Sequence, residues 1–424
     1  MHGPLPSPEQ PTSAHREIHH FEFIALMAAL MALQALAIDA MLPALGDIAS
    51  ALGVSDPNRR QLVVGIFLVC SGLGSLFPGS LADRYGRRPV LLVCLGGYVA
   101  LSLACAVVMQ FDALLGLRAV QALASAGLSV LPSAIIRDRF GGDRMARMLS
   151  TVSIVFMLVP MIAPTMGQAV LLVAGWRWIF VVLGALASLV GLWVWLRLPE
   201  TLHPDYRQPI EVGPILRNMG ASLRDRGSIG YVFGSALVMG AMFGYINSAQ
   251  QLVGEHFGAG PRFPLLFGAT ALMLAIANLV NSRIVERFGA RRVSHTAVLI
   301  YIVVAGFQVL LSHLPGQTLY SFMPMMAMNI ALLGFIGANF GSIALQPFAR
   351  IAGAAASVQA FVRMVIGAGL GIVIGQAYDD SARPLSWALL LCGLTCLALV
   401  LFSERGRLFR RLTPPGGSRP VAQP

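Results

Sequence analysis

Twelve long apolar runs dominate this chain and restrict what it can fold into. Each is close to the roughly 20 residues that an α-helix needs to cross a bilayer. Hydrophobic residues make up 56% of the chain and charged residues only 12%, so little is left for a soluble domain. The sequence therefore predicts an all-α integral membrane protein with twelve transmembrane helices. The runs lie at 21–45, 61–81, 90–110, 112–136, 147–172, 176–196, 229–254, 263–282, 293–313, 318–345, 351–377 and 385–403.

The polar segments between the runs predict how the helices are grouped. We expect an N-terminal tail at 1–20, a six-helix bundle at 21–197, a linker at 198–228, a second six-helix bundle at 229–403 and a C-terminal tail at 404–424. The linker is the longest connection and is rich in proline, so we interpret it as a tether between two bundles.

A charged motif between the second and third runs has a degraded copy in the second half of the chain. The motif spans 79–89 and the copy spans 282–292. Acid, base, aromatic, glycine and base recur in the same order, so that Asp83 corresponds to Glu286 and Gly86 to Gly289. A repeat of this kind near half the chain length predicts a duplicated membrane protein.

The basic residues predict the orientation of the chain. All 30 are arginine, and most lie in segments on the side of the two termini. The positive-inside rule then places both termini in the cytoplasm. Because the formal charge of +11 follows this topology and forms no basic stripe, we expect no nucleic-acid partner.

The residue types present exclude several kinds of enzyme. Without lysine, the chain can build neither a phosphate-binding P-loop nor a Schiff base. Its eight histidines lie in tails, loops or ends of runs, and no two stand four residues apart on one helix face, so no metal site is predicted. The five cysteines fall inside apolar runs, which argues against a disulfide framework. We expect a protein that is not an enzyme, has no catalytic residues or cofactor, and depends on an ion gradient.

Two deep charges stand out in the first predicted bundle. Asp39 is the one carboxylate deep in an apolar run, and Arg118 lies at a similar depth in the fourth run, roughly 9 Å below the outer boundary at 1.5 Å per residue. An ionised group there costs about 2.5–3.5 kcal/mol on insertion scales, so an ion pair between them is plausible. The functional hypothesis is that Asp39 carries a transported proton and Arg118 tunes its ionisation. The alternative is a static pair that fixes helix packing.

These motifs together resemble the major facilitator superfamily and, within it, the drug:proton antiporters of the Bcr/CflA type. The segment 79–89 is close to the superfamily's loop signature. The segments 38–45, 117–123 and 159–167 are similar to the antiporters' first-span, buried-arginine and proline-containing motifs. The resemblance covers residues 21–403.

The resemblance implies a two-bundle fold that works by alternating access. It implies efflux of amphipathic small molecules, such as drugs or antibiotics, in exchange for protons. The protein would act as a monomer in the bacterial inner membrane, with the substrate, protons and the lipid bilayer as partners. It further implies a conformational loop motif that latches the two halves, and an antiporter motif. These comprise Gly79, Asp83, Arg84, Gly86, Arg87 and Arg88 for the loop, and Pro160, Pro164 and Gly167 for the antiporter motif.

A set of polar and soft apolar side chains predicts a substrate cavity. Arg363 lies near the middle of the eleventh run, and its insertion cost makes it a functional candidate. The alternative is that it binds backbone carbonyls at a glycine-rich kink. Each polar candidate, taken alone, is better explained as an interhelical hydrogen bond, and only the cluster predicts a mostly apolar pocket with few polar anchors. The other candidates are Gln34, Gln121, Met157, Met161, Phe243, Tyr245, Asn247, Gln250, Gln251 and Asn339.

Two other functions stay open at this point. A proton-coupled metabolite or nutrient transporter on the same fold would keep the loop motif but have weaker first-span and fifth-span patterns. A membrane sensor or scaffold that transports nothing would tolerate the loss of Asp39 and Arg118 and would usually carry a soluble domain. An integral-membrane enzyme is the least supported, since the runs contain no paired carboxylates or nucleophile triad.

Overall fold

Helices account for most of the chain in the computed structural model, which describes residues 18–203 and 225–409. Those two ranges contain no β-strand, in keeping with a backbone whose polar groups must be satisfied inside lipid. Eleven helical stretches are long and apolar enough to cross a membrane, and one bent pair supplies a twelfth. The predicted all-α, twelve-helix membrane fold is thereby confirmed. The proposed tails and linker lie largely outside the described residues.

The helices follow the predicted runs closely, in two sets of six spans. The first set comprises α1 (His20–Asp39), α2 (Leu45–Ala51), α3 (Leu62–Gly74), α4 (Phe77–Tyr85), α5 (Arg87–Val107), α6 (Phe111–Arg139), α7 (Gly142–Met157), α8 (Val159–Ala174) and α9 (Trp176–Arg197). The second comprises α10 (Arg226–Ala249), α11 (Phe263–Phe288), α12 (Ala290–His313), α13 (Leu319–Leu345), α14 (Ala352–Gln376) and α15 (Arg383–Ser403). Short 3₁₀ or π turns lie at Leu42–Ala44, Arg59–Gln61, Gln250–His256, Gly260–Arg262 and Gln346–Ile351.

Several spans are broken, and proline explains one of the breaks. The second span bends by 44° between α3 and α4. The fifth span is divided at Leu158 between α7 and α8, with Pro160 in the first turn of α8 and Pro164 inside it. Because proline has no N–H to donate, it is tolerated in a first turn and disrupts the ladder before it. The helical ladder of the fifth span is therefore interrupted just before these prolines.

Each half packs mainly within itself, and two helix pairs join the halves. In the first half α5 lies between α6 and α9, and in the second α10 packs against α14 and α15. Across the halves, α3 packs on α14 and α8 on α11. The first of these contacts is close, because a Cβ on Gly65 would lie 2.5 Å from Cγ1 of Ile372.

The two copies of the charged motif have the same backbone geometry. Gly86 separates α4 from α5 with φ of 102°, and Gly289 separates α11 from α12 with φ of 85°. Both values lie in the region that glycine adopts far more readily than other residues. The duplication predicted from the sequence is therefore also present in the structure.

Two faces of the bundles are needed to describe the site. After twelve crossings, His20 at the start of α1 and Ser403 at the end of α15 lie on one side, which we call the tail face. The turns that follow α2 and α5 lie on the other side, which we call the far face.

Candidate functional site

A cavity of about 490 Å³ lies between the two halves and is mostly apolar. Helices α1, α7 and α8 form one wall, and α10, α11 and α13 form the other. Its polar lining residues are Asp39, Ser153, Tyr245, Thr270 and Asn278. Its apolar lining residues are Met31, Ala35, Ile38, Phe156, Met157, Pro160, Met242, Phe243, Ile246, Phe267, Ala271, Leu274, Ala275 and Ile330.

Asp39 is the acid of this cavity. It is the last residue of α1 and only 5% exposed. Its carboxylate has no hydrogen-bond or ion-pair partner in the described parts of the chain. A buried carboxylate is costly unless it is paired or protonated. The negative charge of Asp39 must therefore be neutralised by a proton or compensated by a ligand.

The antiporter motif packs directly against the backbone that carries Asp39. A Cβ on Gly167 of α8 would lie 2.1 Å from the carbonyl oxygen of Ala40, so only glycine lets these two backbone segments approach this closely. Pro160 lines the cavity itself. The structure therefore brings the first-span and fifth-span motifs to one place, although they are separated by more than a hundred residues in sequence.

Arg118 is completely buried and binds groups other than the Asp39 carboxylate. Its guanidinium donates to the carbonyl oxygens of Ala37 at 2.8 Å and Val63 at 3.2 Å, and to Oε1 of Gln121 at 2.7 Å. The suggested ion pair with Asp39 is therefore not formed in this structure. The reason is local: α1 ends at Asp39, so the carbonyls of its last turn lack helical partners, and Arg118 satisfies one of them.

Three of the predicted cavity residues line the central cavity as expected. They are Met157, Phe243 and Tyr245. The ring of Tyr245 stacks on that of Phe267, with centroids 5.8 Å apart. Its hydroxyl lies 3.4 Å from that of Thr270. These contacts hold a flat aromatic surface on the wall opposite Asp39.

Other predicted cavity residues make interhelical contacts and do not line the central cavity. Gln34 donates to Ser71, and Gln121 donates to Ser102 at 2.7 Å. Asn339 donates to Oδ1 of Asn281 at 2.7 Å. For these three residues, the interhelical hydrogen bond that the sequence left as an alternative is what the structure shows.

Met161 and Asn247 also lie away from the cavity lining. The backbone of Met161 packs against Gly268, where α8 meets α11. Asn247 is buried, and its amide has no partner among the described residues. It lies near Gly65 and Gly375, where α3 and α14 join the halves.

Gln250 and Gln251 lie at the far face, in a turn that touches the other half. Gln250 donates to Oε1 of Glu255 at 2.9 Å. Gln251 accepts from Gln61 and donates to the carbonyl oxygen of Pro57 at 2.9 Å. Their prediction as cavity residues is corrected: they begin the π turn Gln250–His256 that follows α10, and this position lies beyond the cavity.

A polar layer at the far face joins the two halves, and the sequence reasoning missed it. The amide of Asn58 donates to the carbonyl oxygens of Gln376 at 3.2 Å and Tyr378 at 2.7 Å. Arg60 forms an ion pair with Glu255. The signal that could have found this layer is a pair of opposite charges at the far-face ends of the second and seventh runs.

The loop motif forms an ion-pair cluster around a buried arginine at the tail face. Arg87 is only 3% exposed and binds Oδ1 of Asp83 at 2.6 Å and Oδ2 of Asp138 at 2.8 Å. All three residues belong to the first half. The latch between halves that the resemblance implied is therefore not seen in the contacts of these residues in this conformation.

Glu200, just after α9, completes this cluster. Its carboxylate accepts from the backbone N–H groups of Arg87 at 2.9 Å and Arg88 at 3.2 Å, so it caps the start of α5. A Cβ on Gly86 would lie 2.5 Å from its Oε2. Two other motif residues have simpler surroundings, since Arg84 stacks over its neighbour Tyr85 and Gly79 faces open space.

The second half has a corresponding acid at Glu404, just after α15. Its Oε1 accepts from Nε of Arg291 at 2.7 Å and from the hydroxyl of Tyr231 at 2.6 Å. Burial alone would raise the pKa of Glu404, but these two hydrogen bonds outweigh it and hold the pKa below its ordinary value. The acid that follows each sixth span thus holds the tail-face end of its own half.

Two helical halves that repeat in the same orientation surround a central cavity and are joined by a polar layer on one face, which is the architecture of a secondary transporter built from internal repeats. Comparison with known sequences then identifies the family. The family model of the Major Facilitator Superfamily matches residues 26–372, and the chain belongs to this superfamily. It is a multi-pass membrane transporter.

Curated relatives support the resemblance to the Bcr/CflA type. A bicyclomycin resistance protein homolog from Haemophilus influenzae is 27% identical over 376 residues, covering 88% of this chain and 93% of the relative. The multidrug resistance protein MdtL of Klebsiella pneumoniae strain 342 is 28% identical over 389 residues, covering 89% and 95%. Among solved structures, a D-xylose-proton symporter has a TM-score of 0.72 at 14% identity, covering 92% of this chain and 99% of that one. This last likeness concerns the fold alone.

Proposed function

We propose that this protein exports amphipathic small molecules in exchange for protons by alternating access. The observation that carries the proposal is Asp39, an unpaired acid on the wall of a mostly apolar cavity between the two halves. Apolar walls with a few polar anchors suit amphipathic ligands. A lone buried carboxylate suits a proton that is taken up and released. The names of the relatives, which refer to drug resistance, support the same substrate class.

The conformation supports a loading state in which the cavity is reached from the tail face. The polar layer that contains Asn58, Arg60 and Glu255 closes the far face. The arginine distribution favours a cytoplasmic tail face in a bacterial inner membrane. Substrate would then enter from the cytoplasm, and opening of the far-face layer would release it and let Asp39 take up a proton from outside.

Arg118 has a positioning role in this proposal. It holds the carbonyl of Ala37, two residues before Asp39, and its guanidinium lies 4.1 Å from the centre of the Phe67 ring. It therefore fixes the end of α1 while leaving the Asp39 carboxylate free to exchange its proton. Because the two halves already supply the moving interface, we expect a monomer to suffice.

Drug susceptibility of a pump-deficient bacterial host tests the proposal. The host would express wild type, Asp39→Asn or empty vector, with protein levels in the membrane checked. We expect wild type to confer resistance to particular amphipathic drugs and Asp39→Asn to lose it. Failure of well-expressed wild type to protect against any drug in a panel of cationic, neutral and anionic compounds would contradict drug export. Resistance unchanged in Asp39→Asn would contradict its role in proton coupling.

A further inference from the structure

A second, smaller cavity lies beside the central one and contains the other deep charge. Its volume is about 190 Å³, and Arg363 of α14 lines it. Met242, Leu274 and Asn278 line both cavities, so the two are neighbours that share a wall. We call the smaller one the arginine chamber. A ligand in the central cavity could therefore extend a group toward Arg363.

Arg363 has no partner of its own. Its side chain makes no hydrogen bond, ion pair or ring contact with any described residue, in contrast to the three hydrogen bonds of Arg118. The kink carbonyls that could have bound it are not its partners. A guanidinium that is neither paired nor freely hydrated is costly inside a membrane, so a structural role does not explain this residue.

The rest of the arginine chamber offers no anion. The hydroxyl of Ser235 donates to the carbonyl oxygen of Val232 at 2.7 Å, and Nδ2 of Asn278 donates to that of Leu274 at 3.0 Å. The remaining lining is apolar or glycine. Among the residues that line either cavity, Asp39 is the one acid, and it belongs to the wall formed by the first half. The charge that compensates Arg363 must therefore come with a ligand.

We propose that the transported substrate is an amphipathic organic acid whose carboxylate binds Arg363 while its apolar body fills the central cavity. A planar guanidinium matches a carboxylate through two parallel hydrogen bonds. Met242 and Leu274 offer soft, apolar contacts where the two cavities adjoin. This inference deepens the export function proposed above and rests on it only in treating the bound ligand as the transported substrate. The binding preference itself can be tested separately.

Equilibrium binding of matched fluorescent probes tests the assignment. The probes are a panel of dansyl amino acids with apolar side chains, each compared with its neutral methyl amide, on purified full-length protein without a pH gradient. We expect wild type to bind the acids at least tenfold more tightly than the amides. Arg363→Met should remove this preference and leave amide binding unchanged. Arg363→Lys should keep part of the acid preference, because lysine retains the positive charge but cannot form the bidentate pair of hydrogen bonds with a carboxylate.

Matched controls separate a binding role from a structural one. Arg262→Met removes an exposed arginine in the turn before α11 and should keep the full acid preference. Because Arg363 has no partner to lose, Arg363→Met should melt no lower than wild type. A lower melting temperature together with loss of amide binding would overturn the proposal in favour of a structural arginine.

Four further outcomes would also decide the question. An acid preference that survives Arg363→Met, or no acid preference for any probe pair in wild type, would overturn the proposal. Saturable chloride binding that depends on Arg363, without preference for acids, would replace it with an inorganic anion site. A preference that depends on Arg363 in a protein that exports nothing would support the carboxylate site and refute only the export function.

Discussion

At the scale of single residues, Asp39 and Arg118 have different surroundings although the sequence treats them as a pair. Asp39 has no partner and faces a cavity, whereas Arg118 is tied to two backbone carbonyls and Gln121. In the proposed mechanism, Asp39 changes its protonation and Arg118 stays fixed. The two should therefore respond differently to substitution.

Unfolding of two variants tests this difference. Arg118→Leu should lower the free energy of unfolding by several kcal/mol, because each hydrogen bond from a charged group contributes about 1.5–3 kcal/mol. Asp39→Asn should leave it nearly unchanged, since no partner is lost. Thermal denaturation of both purified proteins checks this. Similar losses in the two variants would indicate a direct Asp39–Arg118 pair and contradict the arrangement described.

Gly167 makes a second prediction at this scale. In Gly167→Ala the added methyl group would meet the carbonyl of Ala40 at 2.1 Å. We expect a loss of about 1–3 kcal/mol of stability and strongly reduced transport, because α8 must move away from the end of α1. Gly96→Ala is the control, since nothing lies within 4 Å of its added methyl group. The explanation fails if the two variants behave alike in melting and transport assays.

At the scale of helices, the ends of the sixth and twelfth spans are held by acids that bind the loop motifs. Glu404 joins the end of α15 to Arg291 at the start of α12 and to Tyr231 in α10. Glu200 joins the end of α9 to the start of α5. These contacts fix the tail-face end of each half, as the proposed movement of each half as a unit requires.

The lowered pKa of Glu404 gives this element a defined pH dependence. A group whose pKa is lower in the folded state stabilises the fold above its unfolded pKa, here about 4.5, and loses that contribution as pH falls through the folded value. Glu404→Gln should therefore melt lower than wild type at pH 7, with a gap that narrows on acidification below about pH 4.5. Glu286→Gln is the matched control and should show no such gap. A gap independent of pH would contradict the ionised hydrogen-bonded acid.

The helices themselves could be predicted from the sequence, but the direction of many side chains could not. Apolar runs set the span limits, and insertion cost singled out Asp39 and Arg363 as functional candidates. In the structure Asp39 lines the central cavity and Arg363 lines the smaller one beside it. By contrast, Gln34, Gln121 and Asn339 lie in the right spans but face neighbouring helices. One turn of a helix passes through all directions in fewer than four residues, so facing depends on packing that a single sequence does not reveal.

The sequence suggested an ion pair between Asp39 and Arg118 that the structure does not form, and the reason is also one of local packing. The apolar run 21–45 suggested one continuous helix, whereas α1 ends at Asp39 and a 3₁₀ turn follows at Leu42–Ala44. This end leaves carbonyls unpaired, and Arg118 binds one of them. The far-face layer was missed for a related reason, because contacts between loops distant in sequence depend on how the two halves dock.

At the scale of the whole molecule, the contacts between halves predict which side can reach the cavity. The polar layer with Arg60 and Glu255 joins the halves at the far face. We therefore expect it to close that face, so that a thiol placed at Met157 is reached from the tail face only. In a background with the native cysteines replaced, Met157→Cys should react with a membrane-impermeant maleimide in everted vesicles. It should react far more slowly in right-side-out vesicles.

Weakening the polar layer should reverse part of this asymmetry. Adding Arg60→Ala and Glu255→Ala removes the ion pair that favours closure, so the open far-face state should become more populated. Labelling of Met157→Cys from the far face should then rise several-fold, while Arg262→Met added in their place should leave it unchanged. If labelling is equally fast from both sides before the layer is weakened, the far face is not closed. If it is fast only from the far face, the chain has the opposite orientation and the direction of transport proposed here must be reversed.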